Sequence, residues 1–336
     1  MNRESIIDRW LQSFFGASSF QRKALAGDAS ARRYYRIHHP DRSYVLMNAP
    51  PPEAPHRFVD CQALLAGAGL TVPQIIAADL DQGLLLLSDF GDDLYLQKLQ
   101  DHSADHLYEK AMAALIPLHQ CTAPLAHFDR AFMHQQLDDL FEHWYLKHHK
   151  GLFLTPHLSS DLQAVYRVLF ENARQQPQVV IHRDYHSRNL MVLSENSPGI
   201  LDFQDAMRGP LTYDLVSLLQ DCYIDWPADR IQVWVRAFQT RAEQAGLVGR
   251  VSDAQFLRWF HLSGVQRHLK NLGIFARLHH RDRKSTYLKE IPRVLGYLQE
   301  TCALYPELEP FGLFLKAVTE DAEIVNNQNA SLVALR

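Results

Sequence analysis

His182-Arg183-Asp184-Tyr185-His186-Ser187-Arg188-Asn189, with Asp202 thirteen residues further on inside Leu201-Asp202-Phe203, decides how this chain is read. The stretch has the form His-x-Asp-x-x-x-x-Asn, then an apolar pair and a second Asp. Val179-Val-Ile181 leads in as a buried strand, Leu190-Met-Val-Leu193 follows as another, and Gly199-Ile-Leu201 delivers Asp202 at a strand end. Apolar strands of this kind pin three polar groups at one edge. Phosphoryl transfer needs a carboxylate that takes the proton of the attacking hydroxyl, and hard oxygen donors that hold magnesium against the phosphates. Asp184 is the candidate base, and Asn189 and Asp202 are the candidate metal ligands. The bland alternative is a polar loop whose Asp and Asn cap turns.

Working outward, 336 residues exceed a typical single core and imply two lobes. A hydrophobic content of 47% supports a sizeable interior. The formal net charge of −4 and the absence of a basic stripe argue against a nucleic-acid partner. No apolar run approaches the ~18 residues of a membrane span, and the charged N-terminus does not read as a signal peptide, so a cytoplasmic protein is expected. Cys61, Cys121, Cys222 and Cys302 lie far apart, which fits reduced, buried thiols rather than a disulfide framework or a zinc site. His182 and His186 stand four apart, but no third soft ligand is near them. His148-His149 and His279-His280 read as solvated surface pairs.

The periodicities predict an α+β chain. A helix covers 4–16. Strands at 34–37 and 44–47 form a hairpin, a helix covers 58–68, and strands at 72–77 and 84–87 complete a small, mostly antiparallel sheet. After Ser88-Asp-Phe-Gly-Asp-Asp93 the pattern turns helical: 94–100, 104–120, 132–149, 158–174, and, beyond the strands at 179–203, 212–222, 228–246, 253–276, 286–302 and 311–323. The expected layout is an N-terminal lobe at 1–88, a hinge at 89–93 and a C-terminal helical lobe at 94–336. A cleft between lobes is a usual small-molecule site.

Gly27-Asp-Ala-Ser30-Ala-Arg32-Arg33 precedes the first hairpin strand and is the candidate phosphate loop. Gly27 permits close backbone approach, Ser30 can donate to phosphate oxygens, and Arg32 or Arg33 can neutralise charge. Asp89, at the hinge, is a further nucleotide-binding candidate. Asp205 can meet substrate or metal, or cap a turn. Asp214, in Gly209-Pro-Leu-Thr-Tyr-Asp214-Leu, fits a turn followed by the first turn of a buried helix.

At these residues the chain resembles the aminoglycoside phosphotransferase and choline kinase superfamily, small-molecule kinases with a protein-kinase-like two-lobe fold. His-x-Asp184-x-x-x-x-Asn189, Leu-Asp202-Phe and Gly209-Pro-x-x-Tyr-Asp214-Leu are similar to its three signatures. The resemblance implies ATP and Mg2+ as cofactors, Asp184 as base, Asn189 and Asp202 on the metal, and Asp214 as support for the catalytic loop. A narrower likeness, carried by Gly27-Asp-Ala-Ser-Ala-Arg-Arg-Tyr-Tyr-Arg36, Leu46-Met-Asn-Ala-Pro-Pro-Pro52 and Gln266-Arg-His-Leu-Lys-Asn-Leu-Gly-Ile-Phe-Ala-Arg277, is to the bacterial anomeric kinases of N-acetylmuramate and N-acetylglucosamine. It implies an amino-sugar acceptor and a place in cell-wall recycling, with Arg267 and Lys270 as candidates for the carboxylate of the muramate. An aminoglycoside, choline or homoserine kinase, or a pseudokinase-like binding protein, stays open. Two departures stand out. The strand that carries a Lys in protein kinases offers Met47, so Arg32 or Arg33 must replace that charge or nucleotide binding leans on magnesium. Gln204 stands where protein kinases have Gly after the Asp-Phe pair.

Overall fold

The computed structural model describes residues 2–16, 18–25 and 32–320. Strands and helices are numbered in chain order. The chain divides into two compact units, one of residues 1–98 with 189–205, the other of residues 99–188 with 206–336.

In the first unit, α1 (Arg3–Phe15) starts at Asn2, whose side chain accepts from the Glu4 N–H. Its apolar positions are spaced at four, so Ile7 and Leu11 share one face, and both are fully buried against Ile37, Leu46, Leu84 and Leu86. Each such side chain stabilises by about 1.5–3 kcal/mol. The sheet is antiparallel, in the order β1 (Gln21–Ala24), β2 (Arg33–His38), β3 (Ser43–Asn48), β5 (Leu84–Ser88), β4 (Ile75–Asp79). The register sets Tyr34 opposite Met47 and Leu46 opposite Leu86. Leu84 to Leu87 are buried on both faces, which is why this strand reads as a continuous apolar run. α2 (Pro55–Gly67) begins on a proline, whose fixed φ suits a first helical position. α3 (Tyr95–Lys98) closes the contiguous part. The rest of the unit is a two-stranded ribbon, β7 (Leu190–Met191) with β8 (Gly199–Ile200), tied in by bridges from Thr71 to Gly199 and from Leu94 to Met191.

The predicted hairpin is present. β1 was not expected from sequence, because Gln-Arg-Lys-Ala has neither alternation nor bulk. β4 starts at Ile75 rather than at 72, since Pro73 cannot donate to a ladder. The candidate loop residues Gly27 and Ser30, and the tail around Asn326, lie outside the described residues.

The second unit is helical: α4 (Ala104–Gln120), α5 (Arg130–Gln136), a π-helical continuation at Leu137–His149, α6 (Pro156–Gln175), α7 (Tyr213–Leu219), α8 (Ala228–Gln244), α9 (Asp253–His280), a 3-10 segment at Ser285–Glu290, α10 (Ile291–Leu304) and α11 (Glu309–Glu320). A strand pair, β6 (Gln178–Ile181) with β9 (Met207–Pro210), lies among them. The sequence expected a turn at Gly209-Pro210. It is a strand because Gly209 leaves room for Ile181, whose Cδ1 would lie 2.4 Å from an added Cβ, and Pro210 sits at the strand end, where its missing donor is tolerated. α9 is the central helix and is buried over most of its circumference. It approaches the π-helical segment so closely that a Cβ on Gly273 would lie 2.1 Å from the Leu140 carbonyl carbon. The paired histidines are not simply solvated: His149 Nδ1 lies 3.2 Å from His280 Nε2, and burial, then the neighbouring charges, push the His149 pKa down. All four cysteines are buried and unbridged. Among the described residues no helix is long and apolar enough to cross a membrane.

Candidate active site

β6 ends at Ile181, and the motif loop begins on the next residue. Two buried carboxylates from the ends of α7 hold the loop. In the first turn of the helix, Asp214 accepts from the backbone N–H of His182 (2.6 Å, Oδ2) and of Arg183 (2.9 Å, Oδ1). Just past its last residue, Asp221 accepts from the Ser187 N–H at 2.9 Å and from the Ser187 hydroxyl. Between these clamps the Tyr185 hydroxyl donates to Ala111 O at 3.0 Å. The backbone of Arg183 is forced into the left-handed region, with φ of 78°. A non-glycine residue held there costs of order 1–3 kcal/mol and persists only where its surroundings over-determine it. Its guanidinium lies 5.2 Å from the centre of the Phe132 ring.

The clamped loop presents Asp184 with its side chain 37% exposed. Its Oδ1 accepts from Lys270 Nζ at 3.2 Å, and its own N–H donates to His182 Nδ1 at 3.3 Å. Burial alone would raise this carboxyl, but the positive charges of Lys270, His186, Arg183 and Arg267 outweigh it and hold the carboxyl well below the usual carboxylate range. Lys270 and Arg267 lie on α9 one turn apart and are only 2% and 1% exposed. Arg267 has no ion-pair partner among the described residues. Its Nη1 lies 3.8 Å from Cys222 Sγ, and the charges of Asp184 and Asp221 act on it from further off. Asn271 Nδ2 donates to the same sulfur at 2.8 Å, and burial pushes the Cys222 thiol up to about 11, so it is a neutral, structural group.

The candidate metal ligands belong to the first unit. Asn189 stands immediately before β7, and its carbonyl accepts from the Leu201 N–H at 2.9 Å, so the ribbon brings Asn189 and Asp202 to one end. Asp202 takes a left-handed backbone with φ of 59°, and its Oδ1 accepts from Gln204 Nε2 at 2.8 Å. The residue that replaces glycine after Asp-Phe therefore orients the carboxylate. Phe203 between them is fully buried, its ring centre 4.8 Å from that of Phe58. One carboxylate and one amide oxygen make a hard donor set that suits magnesium shared with substrate phosphates. Among the described residues no group of three or more His, Cys, Asp or Glu side chains is placed to hold a metal ion.

Of the two candidate arginines, Arg33 is exposed, whereas the Arg32 side chain is 14% exposed and its Nε lies 3.4 Å from Glu53 Oε2. Arg32 also hydrogen-bonds Tyr34, whose hydroxyl is raised to about 12, first by burial, against the Arg32 charge and with those of Asp202 and Glu53. Arg32, Tyr34, Glu53 and Asp202 thus act on one another within one unit. Asp89 is bound to Arg36, with Arg36 Nε 2.7 Å from Asp89 Oδ2, and Arg36 Nη1 reaches Asp92 at 2.7 Å. Asp205 is exposed. Sequence reasoning did not single out Glu53 or Ser187, nor Asp221 as a clamp, and it gave Gln204 as a departure without a role. Only Asp221 left a signal, an acidic residue in an otherwise apolar helix end.

Comparison with known proteins bears on the family and the fold. The model of the phosphotransferase enzyme family matches residues 21–249. The chain is 44% identical over 301 residues to the N-acetylmuramate/N-acetylglucosamine kinase of Pseudomonas aeruginosa, covering 89% of this chain and 88% of that protein. It is 36% identical over 334 residues to the kinase of the same name from Neisseria meningitidis, covering 96% and 98%. Among solved structures, a choline kinase from Streptococcus pneumoniae matches with a TM-score of 0.64 at 12% identity over 88% of this chain and 98% of that one. An ADP-bound aminoglycoside phosphotransferase matches at 0.60 and 14% identity over 88% and 97%. These distant likenesses show the protein-kinase-like fold that the sequence implied. The chain belongs to the phosphotransferase enzyme family.

Proposed function

We propose that this phosphotransferase transfers the γ-phosphoryl group of ATP to the anomeric C1 hydroxyl of N-acetylmuramate and N-acetylglucosamine, in the cytoplasm, as a step of cell-wall recycling. The observation that carries the substrate is identity of 36–44% to kinases of that name over most of the chain. The chemistry rests on the clamped, partly exposed Asp184.

In this reading the first unit takes the nucleotide and the second takes the acceptor. Asp184 orients the C1 hydroxyl and accepts its proton as the sugar oxygen bonds to phosphorus and the bond to the ADP oxygen breaks. Asn189 and Asp202 would hold Mg2+, which supplies neutralising charge on the phosphates. Arg32, steadied by Glu53, adds positive charge to the phosphates where β3 carries Met47 instead of Lys; Gly27, Ser30 and Arg33 are retained from the sequence as further phosphate-binding candidates, and Asp89 contributes through Arg36. Asp205, in the first unit, is retained as a candidate for substrate or metal. The buried, carboxylate-free Arg267 gives that side a positive potential that suits an acidic sugar.

The test is incubation with Mg-ATP and a panel of amino sugars, amino alcohols and aminoglycosides, with the product detected by mass and the phosphate position by 31P–1H coupling. A C1 phosphate on the two amino sugars is expected. Phosphate on an amino alcohol or an aminoglycoside instead, or on no acceptor, rejects the assignment.

A further inference from the structure

A lysine in the middle of a fully buried helical stretch needs a reason, because an ammonium removed from water is costly unless it meets an anion. Lys270 is such a residue: it is 2% exposed, and its Nζ lies 3.2 Å from Oδ1 of Asp184. Asp184 is the carboxylate within ion-pair distance of it. Arg267 on the same helix, and His186 and Arg183 on its own loop, also act on Asp184 and favour its charged form. The loop clamps fix the backbone on either side of Asp184 but not its side chain. Lys270 fixes that side chain, at a point where the carboxylate stays 37% exposed and can meet an acceptor hydroxyl.

We propose that Lys270 is a positioning residue of the transfer reaction, holding the Asp184 carboxylate in the orientation that receives the acceptor's proton, and that it is not a ligand of the acceptor. The proposal rests on the role of Asp184 given above and revises the sequence reading of Lys270 as a contact for a sugar carboxylate. The transfer balances without chemistry on the lysine: the proton of the acceptor O–H passes to Asp184, the acceptor oxygen bonds to phosphorus, the phosphorus–oxygen bond to ADP breaks, and Lys270 neither takes nor gives a proton.

The experiment compares the parent with Lys270→Met, which suits burial without the charge, and Lys270→Arg, which restores the charge. The first readout is a 13C NMR titration of the Asp184 carboxyl in the whole protein, which needs no acceptor and so stands even if the amino-sugar assignment fails. Asp184 should titrate at higher pH in Lys270→Met than in the parent and move back toward the parent in Lys270→Arg. The second readout is kinetics on whichever acceptor the parent phosphorylates: in Lys270→Met, kcat should fall about 10²-fold, within the usual range for general-base catalysis, while KM for the acceptor stays within about threefold. A folded Lys270→Met variant, with parental Mg-ADP affinity, whose Asp184 titrates as in the parent would overturn the proposal. So would a raised acceptor KM at unchanged kcat, which is the behaviour of a substrate ligand. If Lys270→Met does not fold, Lys270→Gln is titrated in its place, and an unmoved Asp184 rejects the proposal equally.

Discussion

Asp184 feels opposed influences: burial favours its neutral form, and Lys270, His186, Arg183 and Arg267 favour the charged one and prevail. Its pKa is depressed, so it is a competent base at any pH above the lowered value and loses that role only as pH falls through it. Between about pH 5 and 8, kcat should therefore show no acidic limb from this group, since an ordinary Asp titrates near 3.9. The same sign governs stability: its contribution is present above the unfolded value and lost as acid carries pH down through the folded one. Asp184→Asn should keep the fold and lose about 10²–10⁴ in kcat, because an amide cannot take the proton; near-parental turnover by the folded variant would remove Asp184 from the mechanism. Arg32 and Arg33 are a second residue-scale contrast. Sequence offered either one, and only the depth of Arg32 and its bond to Glu53 separate them. Arg32→Ala should raise KM for ATP about tenfold or more, the worth of a charged hydrogen bond of roughly 1.5–3 kcal/mol, and Arg33→Ala much less. Equal effects in steady-state assays would show that depth does not matter here.

Among the elements, α7 is small, and the motif loop depends on it. With Asp214 in its first turn and Asp221 just past its end, it places two buried carboxylates seven residues apart, so that His182 and Arg183 are held at one end of the loop and Ser187 at the other. Asp221→Ala leaves two buried donors of Ser187 unmet, at roughly 1–3 kcal/mol each, so a loss of about 2–6 kcal/mol is expected in chemical unfolding. Asp205→Ala, at an exposed carboxylate that precedes α7, should stay within about 0.5 kcal/mol. A parental unfolding curve for Asp221→Ala would mean that the loop holds itself. Sequence made the strong elements legible because their apolar periodicity is the same quantity that drives their burial: Ile7 and Leu11 of α1, Leu84 to Leu87 of β5, and α9. It missed β1 and β9 because polar or Gly-Pro strands are made by their partners, not by their own side chains. The π-helical turn of Leu137–His149 reads as ordinary helix, since a wider turn changes the spacing by too little to see. Asp184, Asn189 and Asp202 were legible as a motif. The roles of Glu53 and Gln204 were not, because their partners, Arg32 and Asp202, are set by the fold.

At the scale of the whole molecule, the site residues are divided by unit in a way their linear order hides. Asn189 follows Asp184 by five residues, yet it is compact with residues 1–98 through the β7–β8 ribbon, while Asp184 is compact with the helical unit. A motif that reads as one string therefore serves two bodies, and its functions should separate by mutation. Asp202→Ala removes a carboxylate from the unit that carries Arg32, so the affinity for Mg-ADP should fall, and added magnesium should protect the ribbon amides of Leu201 and Val192 from hydrogen exchange less than in the parent. Asp184→Asn changes only the other unit, and it should bind Mg-ADP within about twofold of the parent while failing to turn over. Calorimetric titration of both variants tests the division without any acceptor. If Asp202→Ala binds Mg-ADP as the parent does, Asp202 is a ribbon-shaping residue and not a metal ligand. If Asp184→Asn loses nucleotide affinity as severely as Asp202→Ala, the division of labour between the two units is wrong.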